Sequence, residues 1–379
     1  MDFMARFIFL YAAMYAAFGV ASPFLPAFVT AGGLPPEQLG LVLAAGTAVR
    51  LLSAPLAGRI ADLIGRLRIV LAVCAALAAA ATLAYLAAHG FWLFLAVSLI
   101  HAAALAPITV LADALSVGRR FEYGWVRGTG SAAFIAGTLA SGQAVSALGL
   151  DVIVWLQATL LGAAACAALF VPELVHDRTP EAARSPAGGV LLLMRLPVFR
   201  NLVLVAALVL GSHAMHDAFA MIRWRAAGIG PGTASLLWSE AVAAEVVVFF
   251  FLGPWLIAHL SPAGALALAA AAGIARWTVM AQGSDVFALA LVQPLHGITF
   301  ALLHLSCMRL IARTVPPGLE GTAQAIYGTV CIGLATALLT LLSGALYGRL
   351  GAQAFLIMAA LCALALPLTW KLRLLQPAL

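Results

Sequence analysis

Several residues of this sequence that can hold charge or exchange a proton stand inside long apolar runs. Arg50, His101, His213, His216, Asp217, Glu245, Arg276, Gln293, His296 and His304 each interrupt a stretch built from Ala, Leu, Val, Gly and Phe. An ionisable group at the centre of a membrane costs about 2.5–3.5 kcal/mol even on permissive scales, so each should face a protein interior and have a partner. Gln293, His296, Phe300 and His304 follow at i, i+3, i+7 and i+11, which is one face of a helix. His213, His216 and Asp217 follow at i, i+3 and i+4 and make a second such face. Two polar stripes of this kind are expected to line a cavity, and imidazole titrates in the range that proton-linked chemistry needs. Glu245 and Arg276 have opposite charge on consecutive apolar runs. They read either as an ion pair that holds helices together or as part of a coupling device. The histidines lack the His-Glu-x-x-His spacing of a zinc site, so neither a metal nor another cofactor is expected.

The elements that must position these groups follow from composition. Of 379 residues 64% are hydrophobic and 9% charged, with a mean hydropathy of +1.09. A soluble domain needs far more polar surface than that, so the chain belongs in lipid. A helical span needs about 20 apolar residues to cross a hydrocarbon core of about 30 Å. That rule predicts twelve spans, at roughly 5–29, 37–60, 67–88, 91–116, 122–147, 150–172, 199–224, 232–258, 262–282, 286–313, 320–347 and 351–372. The first run is too long for a signal peptide and has no small-x-small cleavage site, so it reads as a span. Counting about 1.5 Å per residue, Arg50, Glu245 and Arg276 fall near mid-depth. His101, His296 and His304 lie close to it, and Asp217 lies toward the outside.

The fold class expected is therefore all-α and polytopic, with two pseudo-symmetric six-helix bundles at 1–172 and 199–379 and a cytoplasmic central loop at 173–198. Internal repetition supports the division. Gly33, Pro36 and Gly58 recur 195 residues later as Gly228, Pro231 and Gly253, an offset that also relates Arg50 to Glu245. Parallel repeats place a substrate site at their interface near the midplane. If the N-terminus is cytoplasmic, the inner loops and tails hold most of the basic residues, and the opposite side holds only Arg223, Arg225 and Arg349. The positive-inside rule then puts both termini and the central loop in the cytoplasm, with the protein in the inner membrane. Cys74, Cys166, Cys307, Cys331 and Cys362 lie in apolar runs without C-x-x-C spacing and read as small core residues. The basic residues are scattered and not interleaved with aromatics, which excludes a nucleic-acid footprint.

Between the second and third spans stands Gly58-x-x-x-Asp62-x-x-Gly65-Arg66-x-Arg68, which resembles the loop signature of the major facilitator superfamily. A narrower resemblance, to the phenylpropionate permease family, rests on several segments. These are Pro23-Phe24-Leu25-Pro26, Tyr123-Gly124-x-Val126-Arg127-Gly128-x-Gly130-Ser131, Ser212-His213, Leu237-Trp238-Ser239 with Ala244-Glu245-Val246, Arg276-Trp277, and Leu295-His296-x-x-Thr299-Phe300-x-x-x-His304. Two positions depart from that pattern. Thr129 stands where a Trp is usual, and His216-Asp217 where aromatic residues are expected. The resemblance implies alternating access and proton-coupled symport of a small organic anion such as an aromatic carboxylate, by a monomer whose partners are substrate, protons and lipid. Asp113, Glu122 and Arg127 near the inner ends of spans four and five read, with Gly58, Asp62, Gly65 and Arg66, as a cytoplasmic gate. Asp62 is expected to approach the N-terminus of span eleven, where a helix dipole favours its charge.

Other functions are weaker. Proton-coupled efflux of lipophilic compounds would also suit an apolar cavity. An intramembrane enzyme would need a nucleophile and base on facing spans, and Ser212 beside His213 cannot serve because adjacent helical residues point about 100° apart. No Walker sequence and no filter-like repeat is present, against ATP-driven transport and a channel. The orientation has a direct test. A reporter fused after Leu379 should be active only in the form that works in the cytoplasm, and activity of an exterior-only reporter would reverse the topology.

Overall fold

The computed structural model describes residues 3–116, 123–172, 186–316 and 318–375. Glu122, Arg119, Arg120 and the charged stretch 173–185 lie outside the described residues. Helices α1 (Phe3–Ala31), α2 (Pro36–Ile64), α3 (Leu67–Ala87), α4 (Gly90–Ser116), α5 (Tyr123–Leu148) and α6 (Val152–Phe170) come first. A short helix, Pro186–Arg195, follows within the segment expected to be loop. Its interior is Val190-Leu-Leu-Leu-Met, a strongly helix-compatible run between two prolines at Pro186 and Pro197.

Helix α7 is Pro197–Ala226, α10 is Val286–Thr314 and α12 is Phe355–Leu375. The remaining apolar stretches are unusually long, Pro231–Gln282 at 52 residues and Glu320–Leu375 at 56. At about 1.5 Å per residue each is more than twice the thickness of a hydrocarbon core, so each must cross twice. The first turns at Ser261, whose φ of 63° is non-helical, immediately before Pro262, which bars its predecessor from the helical region. We label its halves α8 (231–260) and α9 (262–282). The second turns at Gly351, with φ 54°, which separates α11 (320–350) from α12. Among the described residues there are thus twelve spans and no strand.

The chain forms two compact units, Met1–Arg178 with Met221–Ser239, and Thr179–Ala220 with Glu240–Leu379. In the first, α1 packs on α5 and α6, α3 on α4 and α6, and α2 on α4. Its core is Phe7, Leu10, Met14, Leu71, Ile108 and Leu161, interleaved with Ala residues that let helices approach closely without a hydrophobic drive between them. In the second, residues 253–282 pack on α12 and α10, and α12 packs on the first half of α7.

The helices of the second unit depart from ideal geometry where polar side chains gather. Ser212 divides α7 into two helical stretches after Gly211, and its hydroxyl donates to the Val209 carbonyl at 2.7 Å. Pro294 has no N–H and breaks the ladder of α10. The His296 N–H therefore donates to the Gln293 carbonyl at 2.9 Å and the Gly297 N–H to the Pro294 carbonyl at 3.1 Å. Wider π turns occupy Val248–Leu252, Gly297–Leu302 and Tyr327–Leu334. Gly297 allows α10 to lie against α8, since a Cβ there would meet the Ala244 carbonyl oxygen at 2.6 Å. Overpacking such a contact costs about 1–3 kcal/mol. The Gly297→Val variant should therefore melt several degrees lower in detergent and give less monodisperse protein. An unchanged melting curve would show that the two helices separate freely.

Candidate transport site

The second unit gathers most of the polar residues on Arg276 of α9, which is completely buried. Its guanidinium lies over the adjacent Trp277 ring, 4.6 Å from the centroid. One terminal nitrogen, Nη1, donates to His296 Nδ1 at 3.0 Å. The other, Nη2, donates to Gln293 Oε1 at 2.8 Å and to His216 Nε2 at 3.3 Å. All three acceptors are neutral side chains, and among the described residues no carboxylate stands within salt-bridge distance of this cation. Its Nε–H is buried without a hydrogen-bond partner.

These contacts fix the proton positions on two imidazoles. His216 Nε2 faces donors from both Arg276 and the Gln293 amide, the latter at 3.4 Å, so it presents a lone pair. Its Nδ1–H then donates to Asp217 Oδ1 at 3.1 Å. His296 Nδ1 likewise accepts from Arg276, which leaves its Nε2–H pointing at Glu245 Oε2, 3.5 Å away. The direct Glu245–Arg276 pair expected from the sequence is thus replaced by a chain with His296 in the middle. The spacing explains it: Pro294 loosens α10 and turns His296 into the gap between α8 and α9. Asp217 is 57% exposed and Glu245 26%, so both carboxylates stand at the edge of the protein interior while the cation is enclosed.

His213 occupies a different niche. Its Nδ1 faces the Val209 and Leu210 carbonyls at 3.1 and 3.2 Å, and its Nε2 lies 2.9 Å from the Thr299 hydroxyl. Its ring packs edge-on against Trp277 and His296, with centroids 5.3 and 5.2 Å apart. The Trp277 Nε1–H donates to Ser212 Oγ at 2.8 Å, and Cys362 of α12 approaches the same oxygen at 3.4 Å. Phe300 stacks on His296 at 5.6 Å. His304 belongs to the same stretch of α10 but not to this cluster, since its Nδ1 meets the Tyr327 hydroxyl of α11 at 3.0 Å. The face predicted from α-helical spacing is turned by the intervening π segment.

The first unit holds the other candidates. His101 is buried beside Tyr85, edge to face at 5.5 Å, and 3.4 Å from the Gln157 amide. The Tyr85 hydroxyl donates to Ser98 at 3.0 Å. Arg50 lies on α2 in the same unit. Of the residues read as a gate, Gly65 has φ 68° and caps α2 by donating its N–H to Ala61, while Asp62 and Arg66 are exposed. The geometry thus gives the second glycine of the signature a backbone role, whereas a Cβ at Gly58 would meet open space. Asp113 accepts from the Tyr11 hydroxyl, which also lies 3.0 Å from Ser116. Arg127 lies over the Tyr15 ring at 4.7 Å, and Tyr15 stacks on Tyr11 at 6.0 Å, so Asp113 and Arg127 are joined through tyrosines of α1.

Sequence reasoning passed over Tyr327, Gln157 and Tyr11, and it named Ser212 and Thr299 without giving them a place in the polar cluster. Thr299 stands three residues after His296, the spacing of the stripe itself. Gln157 is a lone amide in the run Val-Ile-Val-Trp-Leu-Gln-Ala-Thr, and an amide in such a run needs an internal partner.

Known proteins share this architecture. The chain matches the MFS_1-like family over residues 4–358. It is 34% identical over 358 residues to the probable 3-phenylpropionic acid transporter of Escherichia coli (strain K12), covering 92% of each chain. To the maltose permease of Geobacillus stearothermophilus it is 25% identical over 364 residues, covering 94% of this chain and 91% of that one. The structure of the nucleoside transporter NupG superimposes with a TM-score of 0.84 at 16% identity, over 99% of this chain and 100% of that one, which establishes a common fold. Twelve apolar spans and a family match across nearly their whole length make this chain a multi-pass membrane transporter, not an enzyme, of the MFS_1-like family within the major facilitator superfamily.

Proposed function

We propose that the protein imports a small organic anion, an aromatic carboxylate, together with a proton by alternating access. The observation that carries this reading is the Arg276 guanidinium, a buried cation held by neutral acceptors with its Nε–H unpartnered. A buried ion without a counter-charge costs several kcal/mol, and a carboxylate from the substrate removes that cost with two parallel N–H···O bonds. The guanidinium lies over Trp277, and Phe300 stacks on His296, so aromatic rings border the cation that an aromatic acid would approach. The name of the Escherichia coli relative points to the same substrate class. Glu245 and Asp217 disperse the charge of the empty site through His296 and His216 and give way when the anion arrives. The protein would act as a monomer in the inner membrane with both termini cytoplasmic, and Arg50, His101 and His304 would complete the pathway.

The decisive experiment is uptake into proteoliposomes containing the purified full chain, with carboxylates, sugars and nucleosides tested in parallel. Aromatic carboxylates should accumulate when the outside is acidic, and an uncoupler should abolish the gradient. Sugar or nucleoside uptake without carboxylate uptake would refute the assignment. Arg276→Gln should lower carboxylate affinity about a hundredfold, the effect of losing a charge-assisted bidentate contact. Arg276→Lys should restore little of it, since an ammonium cannot present the planar fork. Wild-type affinity in Arg276→Gln would remove Arg276 from the site.

Asp62 is proposed to latch a state closed to the cytoplasm, as the loop signature implies. Asp62→Asn should then slow transport several-fold with substrate affinity and expression largely intact. An unchanged rate would reduce the loop to a topology signal.

A further inference from the structure

The transport reading names a proton but not its seat, and the hydrogen bonds around the histidines single one out. Resting on that reading, we infer that His213 is the residue that takes up the transported proton, with the Thr299 hydroxyl as the group that registers it. His216 and His296 are poorly placed for this role. Each has one ring nitrogen turned to an Arg276 N–H and the other turned to a carboxylate, so neither has a free lone pair while Arg276 holds it. His101 has an amide nitrogen at Nε2 and an aromatic edge beside it. His304 faces a tyrosine hydroxyl.

His213 has acceptors at both nitrogens. Nδ1 meets two backbone carbonyls, which only accept, so it bears hydrogen in every state. At Nε2 stands Thr299 Oγ1, 2.9 Å away, which is itself 3.2 Å from the His296 carbonyl. In the neutral ring the hydroxyl donates to Nε2. When a proton arrives at Nε2, the hydroxyl turns, accepts from the new N–H and donates to the His296 carbonyl. Every donor of the imidazolium then has an acceptor, which is the condition for burying a charge. The hydroxyl also passes the event to the start of the π segment Gly297–Leu302, one residue beyond the histidine that binds Arg276.

The surroundings make this proton conditional. Arg276 of α9 and His296 of α10 face His213, His216 and Asp217 share its helix, Glu245 of α8 stands behind His296, and Cys362 of α12 stands behind Ser212. From α11, Leu339 offers Gly211 only an apolar contact. A second positive charge next to Arg276 is repelled until an anion joins the cluster, and an anion at Arg276 is bound more tightly once His213 is charged. By linkage each raises the affinity for the other by the same factor. One proton then accompanies one carboxylate, which is the stoichiometry of an electroneutral symporter.

The test uses the full chain in proteoliposomes with 3-phenylpropionate as probe, measuring both counterflow exchange and accumulation driven by an acidic exterior. His213→Gln keeps a donor and an acceptor but cannot be protonated. It should still exchange the probe at saturating concentration, with weaker apparent affinity, and should not concentrate it under any proton gradient. Should that variant fold poorly, Thr299→Val provides an independent measurement. It removes the acceptor of the imidazolium N–H, disfavours the protonated form and should move the alkaline limb of uptake to lower pH by about one unit. Thr299→Ser should restore the profile. Wild-type accumulation by His213→Gln, or an unmoved profile in Thr299→Val, overturns the inference while leaving the symporter intact. Wild-type protein that accumulates no carboxylate under acid drive overturns the transport reading and this inference with it.

Discussion

The second unit is organised around the requirement that a completely buried guanidinium have somewhere to donate its hydrogens. Arg276 meets it with Gln293, His296 and His216, contributed by α10 and α7. Those three side chains reach it only because their helices are irregular. Pro294 opens α10 so that Gln293 and His296 both turn inward, and α7 starts a new helical stretch at His213, one that carries both His213 and His216. Even the packing of α10 on α8, which needs a glycine at 297, serves to bring Glu245 up to His296. The local distortions are those expected where a polar constellation must be assembled in an apolar bundle.

The two units solve the problem of buried polarity differently. In the first, polar side chains occur as short closed groups. Tyr85 is paired with Ser98, His101 with Gln157, and Tyr11 with Asp113 and Ser116. Such groups anchor helices to one another. In the second, the network is branched and ends on two partly exposed carboxylates, with an unmatched N–H at its centre. An arrangement of that kind has lower stability than a closed one and can change partners.

Much of the architecture was readable from hydropathy and spacing. The twelve spans follow from run length, and even the turns at Ser261-Pro262 and Gly351 carry their local chemistry in the sequence. The polar residues of α7, α9 and α10 that meet at Arg276 were also visible as charges with no water to face. What spacing could not give was which of them touch. The expected pair of Glu245 with Arg276 assumed straight helices, and Pro294 defeats that assumption. His304 was placed on the face of Gln293 and His296, but a π turn adds a residue per turn and rotates everything after it, so His304 meets Tyr327. The helix in Pro186–Arg195 was missed because the charges on either side of it read as loop. Thr299 and Ser212 were given no contact in the cluster because hydroxyls are common inside apolar helices, where they usually bond the preceding turn.

The two imidazole links have one further property. Their polar contacts all run in the same direction, from Arg276 through His296 toward Glu245 and from Arg276 through His216 to Asp217. A proton arriving at either carboxylate meets an N–H, not a lone pair, and can advance only if the ring turns over and the guanidinium lets go. The links therefore conduct charge stabilisation but block proton hopping. In a membrane transporter this polarity is a form of insulation: it lets acidic groups approach a buried cation without opening a path for protons between them.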